Sequence, residues 1–195
     1  MRLAVLILCA SACFGETYSY WVAPCDEKLA RASGCEAADP ELADWALAAW
    51  ANASKGKLAF QRAADERKAR IRFYWAPGSM QLYGEARPIL VEGERGAEIH
   101  VRPDMAVLGP GFAEAAAKDP LFRHAIVYLT CLHESGHAIG LQHTAEFADI
   151  MYSFGFGGDI GEYFARYRRK LKKRDDISRH SGLSRADERS VRALY

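Results

Sequence analysis

Hydrophobic positions recur along the chain with two different periods, and the switches between them divide it into elements. Beyond residue 38, Leu42, Trp45, Ala46, Ala49 and Trp50 repeat at three-to-four spacing, which puts side chains on one face of a helix. Asp39 is a candidate N-cap for it, Pro40 takes the first helical position, Glu41 and Asp44 follow, and Gly56 bounds it. The period then becomes two: Leu58 and Phe60 alternate with polar neighbours, and Ile71, Phe73 and Trp75 alternate with Arg70, Arg72 and Tyr74, as in half-buried strands. Short strands are also expected at 81–83, 89–91 and 97–101, with Gly84, Pro88, Gly93 and Gly96 marking turns or an irregular edge. A second long helix is predicted from Asp119 and Pro120 through Phe122, Ile126, Leu129 and Leu132 to about Gly140. The last helix has Ser184 as N-cap and Asp187 three residues on, a variant capping box, with Val191 and Leu194 apolar. Residues 16–38 show no clear period and are expected as an ordered loop.

Composition sets the scale without naming a function. A chain of 195 residues, 50% hydrophobic and 26% charged, is long enough for one well-buried core. A net charge of +1 gives no global argument for nucleic acid or a membrane surface as main partner, so charge arguments must be local. Residues 1–15 have the layout of a signal peptide: Arg2, an apolar run over 3–12, then small residues, with cleavage expected after Ala12 or Gly15. The apolar run is too short to span a bilayer, and 16–195 would remain as a single exported domain. Cys13 follows Ala10, Ser11 and Ala12, so a lipid anchor there is the alternative, although Ala10 stands where such signals usually carry leucine. Export permits disulfides; Cys25 and Cys35 would close a short loop, and Cys131 is expected as a buried thiol, not a metal ligand.

The chemistry concentrates at 133–143. His133 and His137 are four apart, so on a helix both imidazoles project from one face and can reach one ion. Gly140 can take the positive φ that stops a helix and turns the chain, letting His143 approach the same ion from outside. Three neutral nitrogens leave a fourth position open for water, the arrangement of a catalytic rather than a structural zinc site. Glu134 beside it is the candidate general base and then acid for that water.

These residues match the long zinc-binding signature HExxHxxGxxH, and Met151 stands eight residues beyond the third histidine. The chain thus resembles the metzincin zinc endopeptidases, and the interval to Met151 is similar to that of the matrixin branch. The resemblance implies an α+β zincin-like fold: a twisted mixed sheet of about five strands with an N-terminal helix, an active-site helix and a C-terminal helix. It implies one catalytic Zn2+ on His133, His137 and His143, Glu134 as the catalytic residue, and Met151 forming a turn beneath the ion without touching it. Gly136 would let that turn pack close to the helix. The irregular edge at 84–88 would take a peptide or protein substrate as an added strand. Coverage extends thinly over most of 40–195, with only 133–152 highly specific.

Departures bound the resemblance. Of the histidine and aspartate cluster that holds structural zinc and calcium in matrixins, only His100 and Asp104 have counterparts, so no calcium is expected. Cys25 in Ala23-Pro24-Cys25-Asp26 is a distant echo of a latency cysteine, and the disulfide reading is preferred. Beyond the methionine turn, Tyr163, Phe164, Tyr167 and Leu171 have helical spacing, and Arg166 and Arg174 bracket seven basic residues, a candidate contact for an anionic surface or else a solvated helix face. His124 and His180 lack partners at ligand spacing; Tyr152 either lines the pocket or packs. The rival reading is a non-catalytic zinc-binding interaction module, which would have no chemical need of Glu134.

Overall fold

Among the described residues the chain forms five strands and six α-helices, some of them beyond what these patterns announce. A computed structural model of the chain describes residues 15–77 and 82–195. The strands are β1 (Glu16–Val22), β2 (Leu58–Arg62), β3 (Ile71–Trp75), β4 (Gly84–Val91) and β5 (Glu94–Val101), and the helices are α1 (Glu27–Ser33), α2 (Asp39–Ala53), α3 (Pro110–Lys118), α4 (Pro120–Ala138), α5 (Ile160–Arg168) and α6 (Arg185–Leu194). They form a mixed α/β architecture around one sheet of order β2-β1-β3-β5-β4. The first four strands in that order run parallel, and β4 pairs antiparallel with β5 at the edge. No helix among the described residues is long and apolar enough to cross a membrane.

The period-two reading of 71–75 and 97–101 matches what the sheet buries. Ile71, Phe73, Trp75, Ala97, Ile99 and Val101 face the helices and are buried, whereas Arg72, Tyr74, Glu98 and His100 face away. Helices α2 and α4 cover the inner face and pack on each other, and the Trp50 indole N–H of α2 donates to the Leu132 carbonyl of α4 at 2.9 Å. That bond satisfies a polar atom that would otherwise be orphaned in the core.

Several expectations are corrected. Residues 16–38 are not a loop: β1 is an interior strand paired with both β2 and β3, and α1 follows with Asp26 as its cap. Tyr18 and Val22 alternate with Thr17 and Ser19 in the required period, but the inward face is aromatic with a hydroxyl, which blurs the apolar signal. Gly84 and Pro88 lie on the edge strand β4, the second of the two roles expected of them, while Gly96 lies inside β5; Pro88 is tolerated because β4 is the edge, and the hairpin turn falls at Glu92 and Gly93, both at positive φ. Asp39 does not cap α2. The alanine-rich α3 is an element the periodicity did not announce. Tyr83 and Leu82 of the strand expected at 81–83 form a bend, while Gln81, the signal-like residues 1–14 and Cys13 lie outside the described residues.

What Asp39 does instead is anchor α4. Arg123 donates two hydrogen bonds to its carboxylate, each at 2.8 Å, and a third to the Gly34 carbonyl, while Glu36 sits 3.2 Å from the same guanidinium. Asp39 is wholly buried. The Cys25–Cys35 disulfide closes the loop that carries Gly34, just before Glu36 and Asp39, and Cys131 is a free buried thiol, as expected. Removing one member of a buried pair leaves an uncompensated charge, so Asp39→Ala should cost about 3–5 kcal/mol of stability. Urea denaturation measures it; a loss below about 1 kcal/mol would mean that Arg123 finds water or another acceptor.

Candidate metal centre

Helix α4 begins where Asp119 accepts a hydrogen bond from the Phe122 N–H and ends beside Gly140, whose φ of 106° suits glycine alone. The chain turns back there, with the Leu141 N–H donating to the Gly136 carbonyl at 2.9 Å. His143 is thereby brought over the helix. Its Nε2 lies 3.2 Å from Nε2 of His133 and 3.0 Å from Nε2 of His137, so the three expected imidazoles do converge.

Their tautomers follow from what faces the other ring nitrogens. His133 Nδ1 lies 2.7 Å from the Ile150 carbonyl and His137 Nδ1 lies 3.0 Å from the Leu141 carbonyl. A carbonyl oxygen only accepts, so both Nδ1 atoms carry hydrogen and both Nε2 atoms present lone pairs. Burial, against the opposing pull of the Ile150 carbonyl and with a smaller push from the facing His137 and His143, lowers His133 to about 4 from the ordinary 6.5 and holds it neutral. Three Nε2 atoms converging in this way suit a tetrahedral ion with bonds of about 2.0–2.1 Å, which spaces its nitrogens by about 3.3 Å. The cluster could hold a metal ion.

Glu134 lies one residue along, under the edge strand. Gly84 of β4 packs so closely that a Cβ there would come within 2.6 Å of the Glu134 carboxylate and of the Thr130 methyl. Burial pushes the carboxyl up to about 8, with Glu85 adding to the rise and the Ala86 backbone N–H opposing it. A buried carboxylate of this kind holds a proton more tightly than one in water, as a general base requires, and a nearby dication would favour its charged form. Two clefts meet at the histidines. One, of about 370 Å³, includes Leu82, Tyr83, Glu134, Tyr152 and Phe154; the other, of about 330 Å³, includes Ala86, Pro88, Arg95, Leu141 and Gln142.

Below the imidazoles the floor is a close contact. Met151 is buried, and a Cβ on Gly136 would fall 2.3 Å from its sulfur, so only glycine lets the turn approach α4. The turn is fastened by the capping residues of α6, a role that local spacing did not disclose. Asp187 accepts from the Ser184 N–H as a capping box should, but the same oxygen also accepts from the Ile150 N–H at 2.8 Å. The Ser184 hydroxyl in turn donates to Asp149 at 2.6 Å, and the Tyr163 hydroxyl donates to the Asp149 and Ile150 carbonyls. Since Ile150 also receives the His133 Nδ1 hydrogen, α6 and α5 position a candidate ligand through one residue.

The remaining candidates fall elsewhere. Tyr152 is buried, donates to the Gly157 carbonyl at 2.7 Å and stacks among Phe147, Phe154 and Tyr163, so it packs as well as bordering the cleft. Behind it and His133, aromatic rings leave only about 10 Å³. His100 stacks on Tyr74 on the far sheet face, and Asp104 caps a short turn at 105–108. His180 is exposed. His124 pairs with Glu36 at 3.1 Å, and although Glu36, Asp39 and His124 converge, the Arg123 guanidinium already supplies their positive charge. Of the basic run, Arg166 covers the Phe147 and Tyr163 rings, Arg168 meets Asp119, Arg169 meets Glu162, Lys173 meets Asp175, and Arg174 covers Trp45, so five of its seven cations are engaged within the chain.

No family model matches this chain, and no curated protein resembles it at a significant level. Asp187→Ala strips two buried backbone donors of their acceptor and should cost about 2–4 kcal/mol. With His133 less well oriented, metal affinity should fall about 10–100-fold under conditions where the variant is still folded. Denaturation and competition with a chromogenic chelator measure the two effects, and an unchanged affinity would limit Asp187 to a structural role.

Proposed function

We propose that the chain is an exported zinc-dependent endopeptidase with a metzincin-like, matrixin-like catalytic core. The observation that carries this reading is the convergence of three imidazole Nε2 atoms, with two Nδ1 hydrogens committed to carbonyls, next to a buried carboxylate on an open sheet edge. His133, His137 and His143 would hold the ion. When bound, zinc supplies Lewis acidity, polarising a peptide carbonyl and making a water acidic near neutral pH.

The other steps belong to the chain. The edge strand β4 offers backbone groups to an extended peptide, which fixes the peptide over α4 by main-chain hydrogen bonds. Glu134 takes the proton of the attacking water and later delivers it to the departing amine, so that no strong base is released. The Ala86 N–H steadies its carboxylate between those two transfers. Met151 and Tyr152 keep the floor dry without contributing a donor to the ion.

Glu134→Ala should retain about one zinc per chain, measured by atomic absorption, and lose about 10²–10⁴-fold in cleavage of a mixed peptide library. Wild-type cleavage should disappear with a strong chelator and return with zinc. Full activity of the variant would remove Glu134 from the chemistry, and zinc binding without any cleavage by the wild type would favour the non-catalytic module.

A further inference from the structure

The cleft on the Pro88 side of the histidines contains a cation that no carboxylate among the described residues pairs with. Arg95 opens β5, on the same side of the strand as the buried Ala97, Ile99 and Val101, so its side chain is thrown across the end of α4 and not onto the outer sheet face. There its guanidinium lies over Gly140, with Nη1 3.3 Å from where a Cβ would stand, and borders the cleft that also contains His137 and His143.

Most arginines of this chain have carboxylate partners: Arg70 with Glu16 and Glu94, Arg123 with Asp39, Arg168 with Asp119, Arg192 with Glu188. Among the described residues Arg95 has none. The adjacent Glu94 is drawn to Arg70 at 2.9 Å. Complementing the carbonyl end of α4 does not occupy it either, because that end is already served. Gly136 accepts from the Leu141 N–H, His137 from the Gly140 N–H, and Ile139 from the Tyr195 hydroxyl. No carboxylate borders this cleft, whose other members are the imidazoles, Gln142 and small or apolar residues.

The geometry points to Arg95 as a specificity-determining residue that selects an acidic side chain in the substrate, on the N-terminal side of the cleaved bond. This rests on the endopeptidase reading. A peptide added antiparallel to β4, the more stable pairing, runs from the Pro88 end toward the Gly84 end and places its N-terminal portion against Arg95. The planar fork of Arg95 can then donate two parallel hydrogen bonds to a carboxylate. The cleft at the opposite end of the groove combines the apolar Leu82 and Phe154 and the Tyr83 phenol with the carboxyl groups of Glu85 and Glu134 and has no arginine or lysine, so the two halves differ in charge.

The test compares the zinc-loaded wild type with Arg95→Gln and Arg95→Glu on a peptide library, and measures binding of uncleaved acidic and neutral peptides to Glu134→Ala with and without the Arg95 changes. Wild-type cleavage should favour Asp or Glu within the four positions before the cut. Arg95→Gln should raise KM for an acidic peptide roughly five- to tenfold and leave a neutral peptide unchanged, and Arg95→Glu should shift the preference to Lys or Arg. The binding arm should show the same order, with the difference shrinking as salt rises. Identical profiles in all three proteins would overturn the assignment. Should no peptide be cleaved, the endopeptidase reading fails, and the binding arm decides alone: equal affinity for acidic and neutral peptides sinks the role of Arg95.

Discussion

Three imidazoles do not converge, with Nε2 of His143 3.0 to 3.2 Å from Nε2 of the other two, unless the surroundings hold them there. In water they would turn away and be solvated, and in a packed core each would seek a donor. Here Nδ1 of His133 and of His137 donate to backbone carbonyls, which fixes those two rings, and their Nε2 atoms are left facing His143. Much of the nearby architecture serves that constraint. Helix α4 supplies two rings at the spacing of one turn, Gly140 reverses the chain, and the 144–153 loop closes on itself through the Thr144 N–H to Met151 carbonyl bond. The Arg123–Asp39 pair anchors the first half of α4, and Trp50 packs beneath Gly136.

Much of this was legible in the sequence because it depends on local spacing. The i, i+4 histidines, the helix-stopping glycine, the capping box at 184–187 and the alternation at 71–75 are short-range patterns, and each is found where it was expected. Asp39 was misread for the opposite reason. Its position before a proline and an apolar run satisfies every local rule for a cap, while the interaction that captures its carboxylate comes from Arg123, 84 residues away. The same holds for Asp187, whose local role is real and whose second role, on Ile150, is tertiary. Strand β1 was hidden because its inward face carries Tyr18, a residue that can equally sit half-exposed in a loop.

The groove is shaped by the same economy of contact. Gly84 and Gly136 let β4 and the methionine turn approach α4 from opposite sides, so Glu134 is enclosed without being sealed. Aromatic rings of the 152–164 segment fill the space behind His133, with Tyr163 at the centre of contacts to Phe147, Phe154 and Phe164. The result is a channel open along the sheet edge and shut at its back, suited to a backbone lying flat and hostile to a bulky group pointing inward.

The hydrogen bonds of Asp187 to Ile150 and of Ile150 to His133 make ion binding and the docking of α6 two sides of one equilibrium. Linkage is reciprocal: every tenfold of metal affinity that α6 confers by orienting His133 returns as about 1.4 kcal/mol holding α6 against the body. An ion in this cage would then act as a remote clasp on a helix it never touches. Starving the protein of metal would loosen its fold at α6, some fifty residues along the chain from the first imidazole.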